Sequence, residues 1–256
     1  MLRTRIIPVI QLNNRELVKT VNYKNSKYLG DPLNAIKIFN EKRVDELLIM
    51  DISASKKRTK IDFEYIEELC SECFMPIGYG GGIKSLEDIT KLFEIGVEKI
   101  IINSLLIENP EIVKKAIERY GSQSIVASID LKSTFFSKIK KPYIHSASTK
   151  TNLTANEYLI RCLQMGVGEI IINDIDREGT FKGYDFTILK NFKTTFTTPL
   201  ILNGGAKNVS DFIEGKKMGI DAFAAGSLFC FQQPHYAVLI TYLNTEEIRL
   251  INQIKQ

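Results

Sequence analysis

Eight short runs of β-branched residues recur along the 256-residue chain, separated by stretches with apolar residues at every third or fourth position. Parallel strands need a crossover connection, usually a helix, so this alternation predicts an all-parallel sheet of the α/β class. Eight such units in a chain of this length favour a (β/α)8 TIM barrel. A doubly wound open sheet is the alternative, but no G-x-G-x-x-G follows the first run. The predicted strands are Arg5–Ile10, Glu46–Asp51, Met75–Tyr79, Lys99–Asn103, Ser124–Asp130, Glu169–Asp174, Pro199–Asn203 and Asp221–Ala225.

The chain also repeats itself at a nearly constant offset. The segment VDELLIMDIS, from Val44, matches VGEIIINDID, from Val167, and the GG pair that starts at Gly81 matches the pair at Gly204. Both matches are 123 residues apart, and Gln11 matches Asp130 at a distance of 119. The repeat predicts one domain over residues 1–256, built from two four-strand halves at about 1–120 and 121–240.

The composition describes an ordinary globular chain and excludes several classes of protein. Hydrophobic residues make up 44% and charged residues 25%, which is enough apolar material for a full core. The net charge of +4 is too small to predict nucleic-acid binding, and no apolar run is long enough to span a membrane. The first residues lack the features of a secretory signal, so we expect a cytoplasmic protein. Two histidines and a single C-x-x-C predict neither a metal site nor a cofactor.

Glycine pairs occur at two of the predicted strand ends, where barrels of this kind carry their active sites. A Gly-Gly turn lets the backbone approach a ligand closely and direct N–H groups at it. Because the repeat duplicates these turns, we expect two phosphate sites on opposite sides of the barrel mouth. Tight turns without a ligand are the alternative. The predicted substrate-binding and phosphate-binding residues are Gly82, Asn103, Ser104, Asp176, Gly179, Gly204, Gly205, Gly226 and Ser227.

Four carboxyl groups follow predicted strands and are expected to converge on the same mouth, namely Asp51, Asp130, Asp174 and Asp176. Burial and mutual repulsion can raise the pKa of one of them for acid–base work, although helix capping is an alternative role for Asp51 or Asp174. Asp130 corresponds in the repeat to Gln11, whose amide cannot exchange a proton at neutral pH. We therefore predict that Asp130 transfers protons and that Gln11 orients the substrate.

Lys19 lies in a long polar stretch, residues 13–31, that we interpret as a functional loop over the mouth. Its ammonium group could bind a phosphate, polarise a carbonyl group or stay solvated. Lysine-rich segments at residues 56–60 and 138–141 fit either solvated loops or an anionic substrate. The histidines, His145 and His235, are interpreted as structural.

Charged residues stand at the start of four predicted strands, where they would face one another across the barrel axis. They alternate in sign, and such a ring is costly to bury. An ion-pair plug that closes the floor is one interpretation, and a gate into a passage along the axis is the other. The four residues are Arg5, Glu46, Lys99 and Glu169.

Over essentially the whole chain the sequence resembles the cyclase subunit of imidazole glycerol phosphate synthase, the HisF family. The motifs RIIP, LVKT, GDP, DELLIMDI, YGGGI, SIDLK, GEIIINDIDREGT, NGGA and AAGSLF occur in the expected order. The resemblance implies that a glutaminase (HisH-like) subunit docks on the amino-terminal face and that its ammonia enters through the four-residue gate. It also implies phosphate binding by the two glycine-containing sets and a role for Lys19 at the active site.

Three positions depart from the pattern of this family. Gln11 stands where the family has an aspartate acid, and Asn173 and Glu178 stand where it has a threonine and an aspartate. The loss of one of two acids should cost several orders of magnitude in rate. The sequence resembles more closely a branch of the family in surface-sugar biosynthesis, including lipopolysaccharide, which implies a part in adding an acetamidino group to a sugar.

The sequence therefore predicts the ammonia-using synthase half of a glutamine amidotransferase that acts on a phosphorylated or nucleotide-linked sugar. One alternative is the cyclase of histidine biosynthesis, with Asp174, Asp176 or Glu178 in place of the missing acid. A second is a non-catalytic barrel that activates a glutaminase and conducts its ammonia. A third is a phosphosugar isomerase. Neither nucleic acid nor a membrane is an expected partner.

Overall fold

Eight parallel strands close into a barrel in this computed structural model, which describes residues 3–57, 60–134, 137–192 and 198–254. Strand β1 pairs with β2 and β8, and β6 pairs with β5 and β7, so the sheet has no open edge within the ring. The prediction of a (β/α)8 barrel is confirmed, and the open-sheet alternative is wrong because β5 and β6 pair and close the ring. The strands are β1 (Arg5–Asn13), β2 (Leu47–Asp51), β3 (Ile77–Gly80), β4 (Lys99–Ile102), β5 (Ile125–Thr134), β6 (Glu169–Asp174), β7 (Leu200–Asn203) and β8 (Ala222–Ala225).

Helices cover the outside of the barrel, and several of them begin at residues with capping side chains. Ser85, Thr154 and Asn208 each form a capping box, in which the cap and the residue three positions later bond to each other's backbone. None of the described helices is long and apolar enough to cross a membrane. The helices are Pro32–Glu41, Ile52–Lys57, Phe63–Ser71, Leu86–Glu94, Leu105–Glu108, Pro110–Tyr120, Ala155–Met165, Val209–Lys217, Ser227–Cys230 and Thr245–Gln253, with 3-10 turns at Ser122–Ser124 and Phe186–Asn191.

Along each barrel strand, every second residue faces the helices and the residues between them face the barrel axis; we call these two sets the outer and the inner parity. The outer parity forms the larger apolar core, which includes Ile6 and Ile10 of β1. The other parity forms a small, separate cluster inside the ring, made of Ile7, Val9, Leu48, Ile101, Val126, Ile171, Ile201, Ala222 and Ala224. Because successive residues of a strand point to opposite faces, the inner parity also determines which polar side chains reach the two ends of the barrel axis.

Three antiparallel hairpins are added to the barrel, and one replaces the predicted loop over residues 13–31. That segment forms strands Glu16–Val21 and Lys24–Gly30, with a two-residue turn between them. The prediction that this segment is a loop is wrong because β1 continues to Asn13 and pairs with Glu16–Val21. The other hairpins are Ser137–Ile144 with Thr149–Lys150, and Phe231–Gln232 with Ala237–Val238.

Candidate functional site

A cavity opens at the carboxyl ends of the barrel strands, and each of the eight strands contributes at least one residue to its walls. This is the end at which (β/α)8 barrels place their ligands. Asp176 does not line the cavity, whereas the other residues predicted for its catalytic and substrate-binding parts do. Those that line it are Gln11, Lys19, Gly82, Asn103, Ser104, Asp130, Gly179, Gly204, Gly205, Gly226 and Ser227.

Asp130 lies at the centre of a buried hydrogen-bond network in this cavity. Its Oδ1 accepts from the Ser128 hydroxyl at 2.8 Å and from the Asn173 amide at 3.1 Å, and its carboxyl group also bonds to the Tyr23 phenol. Burial raises the pKa of Asp130, and the three donors only partly offset that rise. The group is therefore placed to hold or release a proton in a buried part of the cavity.

Tyr23 was not identified from the sequence, although it contacts both Asp130 and Asn173. It belongs to the turn of the hairpin at Glu16–Gly30, far along the chain from both partners. A tyrosine in a polar stretch carries no signal of its own. Only the fold of the hairpin over the mouth brings its ring into the cavity.

Gln11 takes part in a second buried network, next to the first. Its Oε1 accepts from the backbone amide and the hydroxyl of Thr20 at 2.9 and 3.1 Å, and its Nε2 donates to Glu178 at 3.3 Å. The Lys19 ammonium bonds to the same Glu178 carboxylate. Gln11 therefore borders the cavity, but its oxygen is occupied by the hairpin.

Lys19 is buried, so the alternative of a solvated lysine is wrong. Burial lowers the pKa of Lys19, and the adjacent Glu178 carboxylate favours the charged form. The side chain passes close to Gly226, since a Cβ atom at that position would lie 2.9 Å from Lys19 Cε. The ammonium is therefore placed between Glu178 and the cradle that contains Gly226.

The first predicted phosphate cradle lies between the ends of β3 and β4. The Asn103 amide donates to the carbonyl groups of Ser128 and Tyr143 at 3.0 and 3.2 Å, so its side chain braces the wall instead of facing a ligand. The Ser104 hydroxyl accepts from the backbone amide of His145 at 3.0 Å. Gly82 completes this side of the cavity.

The second predicted cradle lies at the ends of β7 and β8, on the opposite side of the ring. Ser227 is buried, and its hydroxyl has no hydrogen-bond partner among the described residues. A buried polar atom without a partner is costly, so this hydroxyl has capacity for a ligand. Gly204, Gly205 and Gly226 line the wall around it.

Only two of the four carboxyl groups, Asp51 and Asp130, line the cavity, which corrects the prediction that all four converge on the mouth. Asp130 belongs to the inner parity, whereas Asp51 and Asp174 have the opposite parity on β2 and β6. The Asp51 carboxylate caps the next helix by accepting from Ser53 and Ala54. Asp176 accepts from the Ser133 backbone amide and hydroxyl, both at 2.7 Å, outside the central cavity.

Lys140 binds the two acids that are displaced from the mouth. Its Nζ lies 2.5 Å from Asp174 Oδ1 and 3.3 Å from Asp176 Oδ2, and it is buried. In the segment 138–141 this lysine is therefore neither a solvated residue nor a ligand of the central cavity. The side chains of Lys56, Lys57, Arg58 and Lys138 lie outside the described residues.

The four charged residues at the other end of the barrel meet in a closed ring of ion pairs. Arg5 bonds to Glu46 at 2.7 Å and to Glu169 at 2.8 Å, and Lys99 lies 3.0 Å from both carboxylates. Burial lowers the pKa of Arg5, but the two glutamates outweigh it and the net pKa is raised. Within the described residues, the second oxygen of Glu46 is buried without a hydrogen-bond partner.

Comparisons with known proteins agree with the barrel and its motifs. The family described as "Histidine biosynthesis protein" matches residues 5–234. The "Putative imidazole glycerol phosphate synthase subunit HisF" of Leptospira interrogans is 44% identical over 96% of this chain and 98% of its own. The "Imidazole glycerol phosphate synthase subunit HisF" of Petrotoga mobilis is 34% identical over 93% and 92%. Because the match spans nearly the whole barrel, the chain belongs to the HisF family of histidine biosynthesis proteins.

Proposed function

We propose that this protein is the ammonia-receiving synthase subunit of a glutamine amidotransferase and acts on an anionic sugar substrate. The observation that carries the proposal is that charged residues at one end of a strand and cavity residues at its other end belong to the same inner parity. Arg5 and Gln11 lie on one face of β1, Lys99 and Asn103 follow one face of β4, and Glu169 and Asn173 lie on one face of β6. The charged ring and the cavity are therefore the two ends of a single barrel axis.

The ring is a suitable entrance for ammonia supplied by a glutaminase subunit on the amino-terminal face. The unpartnered oxygen of Glu46 can accept a hydrogen bond from a passing N–H group. Beyond the ring lies the inner apolar cluster around Ile7, Leu48 and Ile101. Neutral ammonia tolerates such a layer, whereas the desolvation cost of a charge disfavours ammonium.

The cavity can hold a substrate with an anionic group at either side. The two cradles lie on opposite sides of the ring. In the second cradle the Ser227 hydroxyl has no hydrogen-bond partner among the described residues and can therefore bond to a ligand. Lys19 lies beside that cradle and would stabilise a phosphate once its bond to Glu178 is exchanged for one to the ligand. A phosphorylated or nucleotide-linked sugar has the required charge.

The chemistry of the cavity favours surface-sugar modification, such as acetamidino-group formation in polysaccharide biosynthesis, over the cyclisation of the histidine pathway. Asp130 is placed to move protons, but the amide of Gln11 cannot act as a second acid. Glu178 does not supply that acid, because its carboxylate is bonded to Lys19, Thr20 and the hairpin backbone. The site thus lacks two free carboxyl groups around one substrate.

Two further functions have specific support. The relatives named as imidazole glycerol phosphate synthase subunits support the histidine-pathway cyclase. The engagement of Gln11 and Lys19 within the protein supports a barrel that only activates a glutaminase and conducts ammonia.

A transfer experiment with the glutaminase partner separates these functions. The complex receives glutamine labelled with 15N in its amide and one acceptor at a time, either the histidine-pathway ribonucleotide or a nucleotide-linked acetamido sugar together with the further enzyme of that modification. We expect label in the sugar and negligible turnover of the ribonucleotide. Efficient conversion of the ribonucleotide would favour the cyclase.

The Asp130→Asn variant tests the conduit. If the barrel only activates the glutaminase and conducts its ammonia, this variant still stimulates glutamine hydrolysis, and label reaches the sugar through the further enzyme with either protein. If the barrel is catalytic, transfer in the wild type is lost in Asp130→Asn.

A further inference from the structure

In the turn of the hairpin over the mouth, Tyr23 has a left-handed backbone conformation that is unfavourable for a bulky residue. Asn22 and Tyr23 are the two turn residues, with φ values of +52° and +60°. A two-residue turn with both φ values positive favours Asn-Gly, because a bulky side chain is strained there. Asn fits the first position, but Tyr at the second position costs stability. Strain of this kind persists only where the surrounding structure compensates for it.

The compensation comes from contacts that draw the turn into the barrel. The Asn22 amide donates to the carbonyl groups of Ile175 and Asp176 at 2.9 and 2.7 Å. The backbone N–H of Tyr23 donates to Glu178 Oε2 at 3.0 Å. The loop after β6 therefore holds the turn in place, and the Tyr23 ring enters the cavity beside Asp130.

The phenol then occupies a defined position between two polar groups. The Asn173 amide donates both to the phenol oxygen and to Asp130, and the phenol bonds to the Asp130 carboxyl group. We propose that Tyr23 is the proton-sharing partner of Asp130, in the place of the second carboxyl group that Gln11 does not provide. The use of this pair in ammonia transfer rests on the proposed function, whereas the pairing itself does not.

The titration properties of the two groups are compatible with this role. Burial and the nearby Asp130 charge raise the pKa of Tyr23 well above its usual value, so the phenol keeps its proton at neutral pH. Other groups near the pair are already occupied: Lys19 bonds to Glu178, and the Tyr158 phenol donates to the Asn103 carbonyl group at 2.9 Å. Among the described side chains that bond to Asp130, which are those of Ser128, Asn173 and Tyr23, only that of Tyr23 is titratable.

The pair can complete an ammonia-transfer cycle without an external acid. When ammonia adds to the carbonyl carbon of the acetamido group, a C–N bond forms, the nitrogen loses a proton to Asp130, and the carbonyl oxygen gains a proton from the Tyr23 phenol. When the C–O bond then breaks, the oxygen gains a second proton and leaves as water, and the nitrogen loses its second proton through the same two groups. The phenolate then recovers a proton from Asp130 through their hydrogen bond. Both groups return to their starting forms and no oxidant or cofactor is consumed.

The test is a carboxyl NMR titration of the full-length protein labelled with 13C in its aspartate side chains. The Asp130 resonance is assigned by its absence in Asp130→Asn. The Tyr23→Phe variant keeps the ring and removes only the hydroxyl donor. We expect the pKa of Asp130 to rise by about one unit or more in this variant, because a donor to the charged form is lost. Tyr28→Phe, on the exposed part of the same hairpin, is the matched control and should cause no change.

A structural role for Tyr23 gives the opposite results. If the ring only packs, Tyr23→Phe leaves the Asp130 titration unchanged and the proposal is overturned. Tyr23→Ala and Tyr23→Gly provide a second measurement, because both remove the ring and only glycine also removes the strain of the left-handed turn. The urea midpoint of Tyr23→Gly should lie above that of Tyr23→Ala. A lower midpoint for Tyr23→Gly would contradict the strain argument. Failure of 15N transfer with an intact Asp130–Tyr23 titration would remove the proposed function alone.

Discussion

Asp130 is a residue whose environment works against its charged form. It is buried, and its pKa is raised although Ser128, Asn173 and Tyr23 all contact it. A group with a raised pKa in the folded protein stabilises the fold below its ordinary pKa and loses that contribution as pH rises through the raised value. Such a residue is retained at a cost in stability, which is typical of a group kept for chemistry.

Replacement of this residue should therefore stabilise the protein in a pH-dependent way. We expect Asp130→Asn to have a higher free energy of unfolding than the wild type at pH 8, by about 1.4 kcal/mol for each unit by which the pKa is raised. The difference should shrink toward pH 4, where the wild-type carboxyl group is protonated. Urea unfolding across this range measures it, and a difference independent of pH would contradict the explanation.

Lys140 and Asp174 show the opposite case, in which buried charge has a structural role. Asp174 is almost fully buried and one of its oxygens has no partner among the described residues. Burial raises the pKa of Asp174, and Lys140 counters this. The pair joins the hairpin at Ser137–Ile144 to the end of β6.

Removal of the lysine should leave an uncompensated buried carboxyl group. We expect Lys140→Met to lower the free energy of unfolding by about 3–5 kcal/mol. Lys150→Met, at an exposed position of the same hairpin, should stay within about 0.5 kcal/mol of the wild type. Urea unfolding compares them, and equal losses in both variants would show that Lys140 has no special role.

The hairpin at Glu16–Gly30 is the element that completes the site. It carries Lys19 and Tyr23 into the cavity and rests on the loop after β6. There the backbone N–H of Asn22 donates to the Glu178 carbonyl group at 2.9 Å. Gly179 in that loop has a φ of +78°, and a Cβ atom there would lie 2.4 Å from the carbonyl oxygen of Thr20. The close approach of the two backbones requires the glycine.

A methyl group at position 179 should push the hairpin off the mouth. We expect Gly179→Ala to accelerate amide hydrogen exchange across residues 16–30, because the alanine adds both backbone strain and a clash. Gly219→Ala is a matched control, since Gly219 has a φ of +82° but no atom within 4 Å of its Cβ position. Exchange in the hairpin that is equally fast in both variants would exclude the clash as the cause.

At the scale of the whole molecule, the barrel joins two polar ends through one apolar layer. The ring at the floor connects β1, β4 and β6 with Glu46, which directly precedes β2. Above it the inner cluster is purely aliphatic, and above that cluster lie Gln11 and Asp130. A molecule that enters at the floor must pass the ring before it reaches the cavity.

The ring should control the source of the transferred nitrogen. In a competition between 15N-amide glutamine and unlabelled ammonium, we expect Lys99→Met to lower the labelled share of the product several-fold. The variant keeps both bonds from Arg5, so the two glutamates stay paired. Arg3→Ala, which breaks an exposed pair with Asp45, should leave the share unchanged. An unaltered share in Lys99→Met would support a closed plug.

The sequence by itself determined the barrel, the approximate positions of its eight strands and the four residues that meet at the floor. These follow from hydrophobic periodicity and from strand parity, and both depend only on residues that are close together in the chain. It did not determine which polar groups share the cavity. Asp174 ends β6 and Asp176 follows it, so the sequence predicts both at the mouth. Their strand parity and their bonds to Lys140 direct them away from it. Tyr23 and Glu178 enter the site because the hairpin docks on the loop after β6. Such contacts join residues more than 150 positions apart, and their geometry depends on close packing that no single segment encodes.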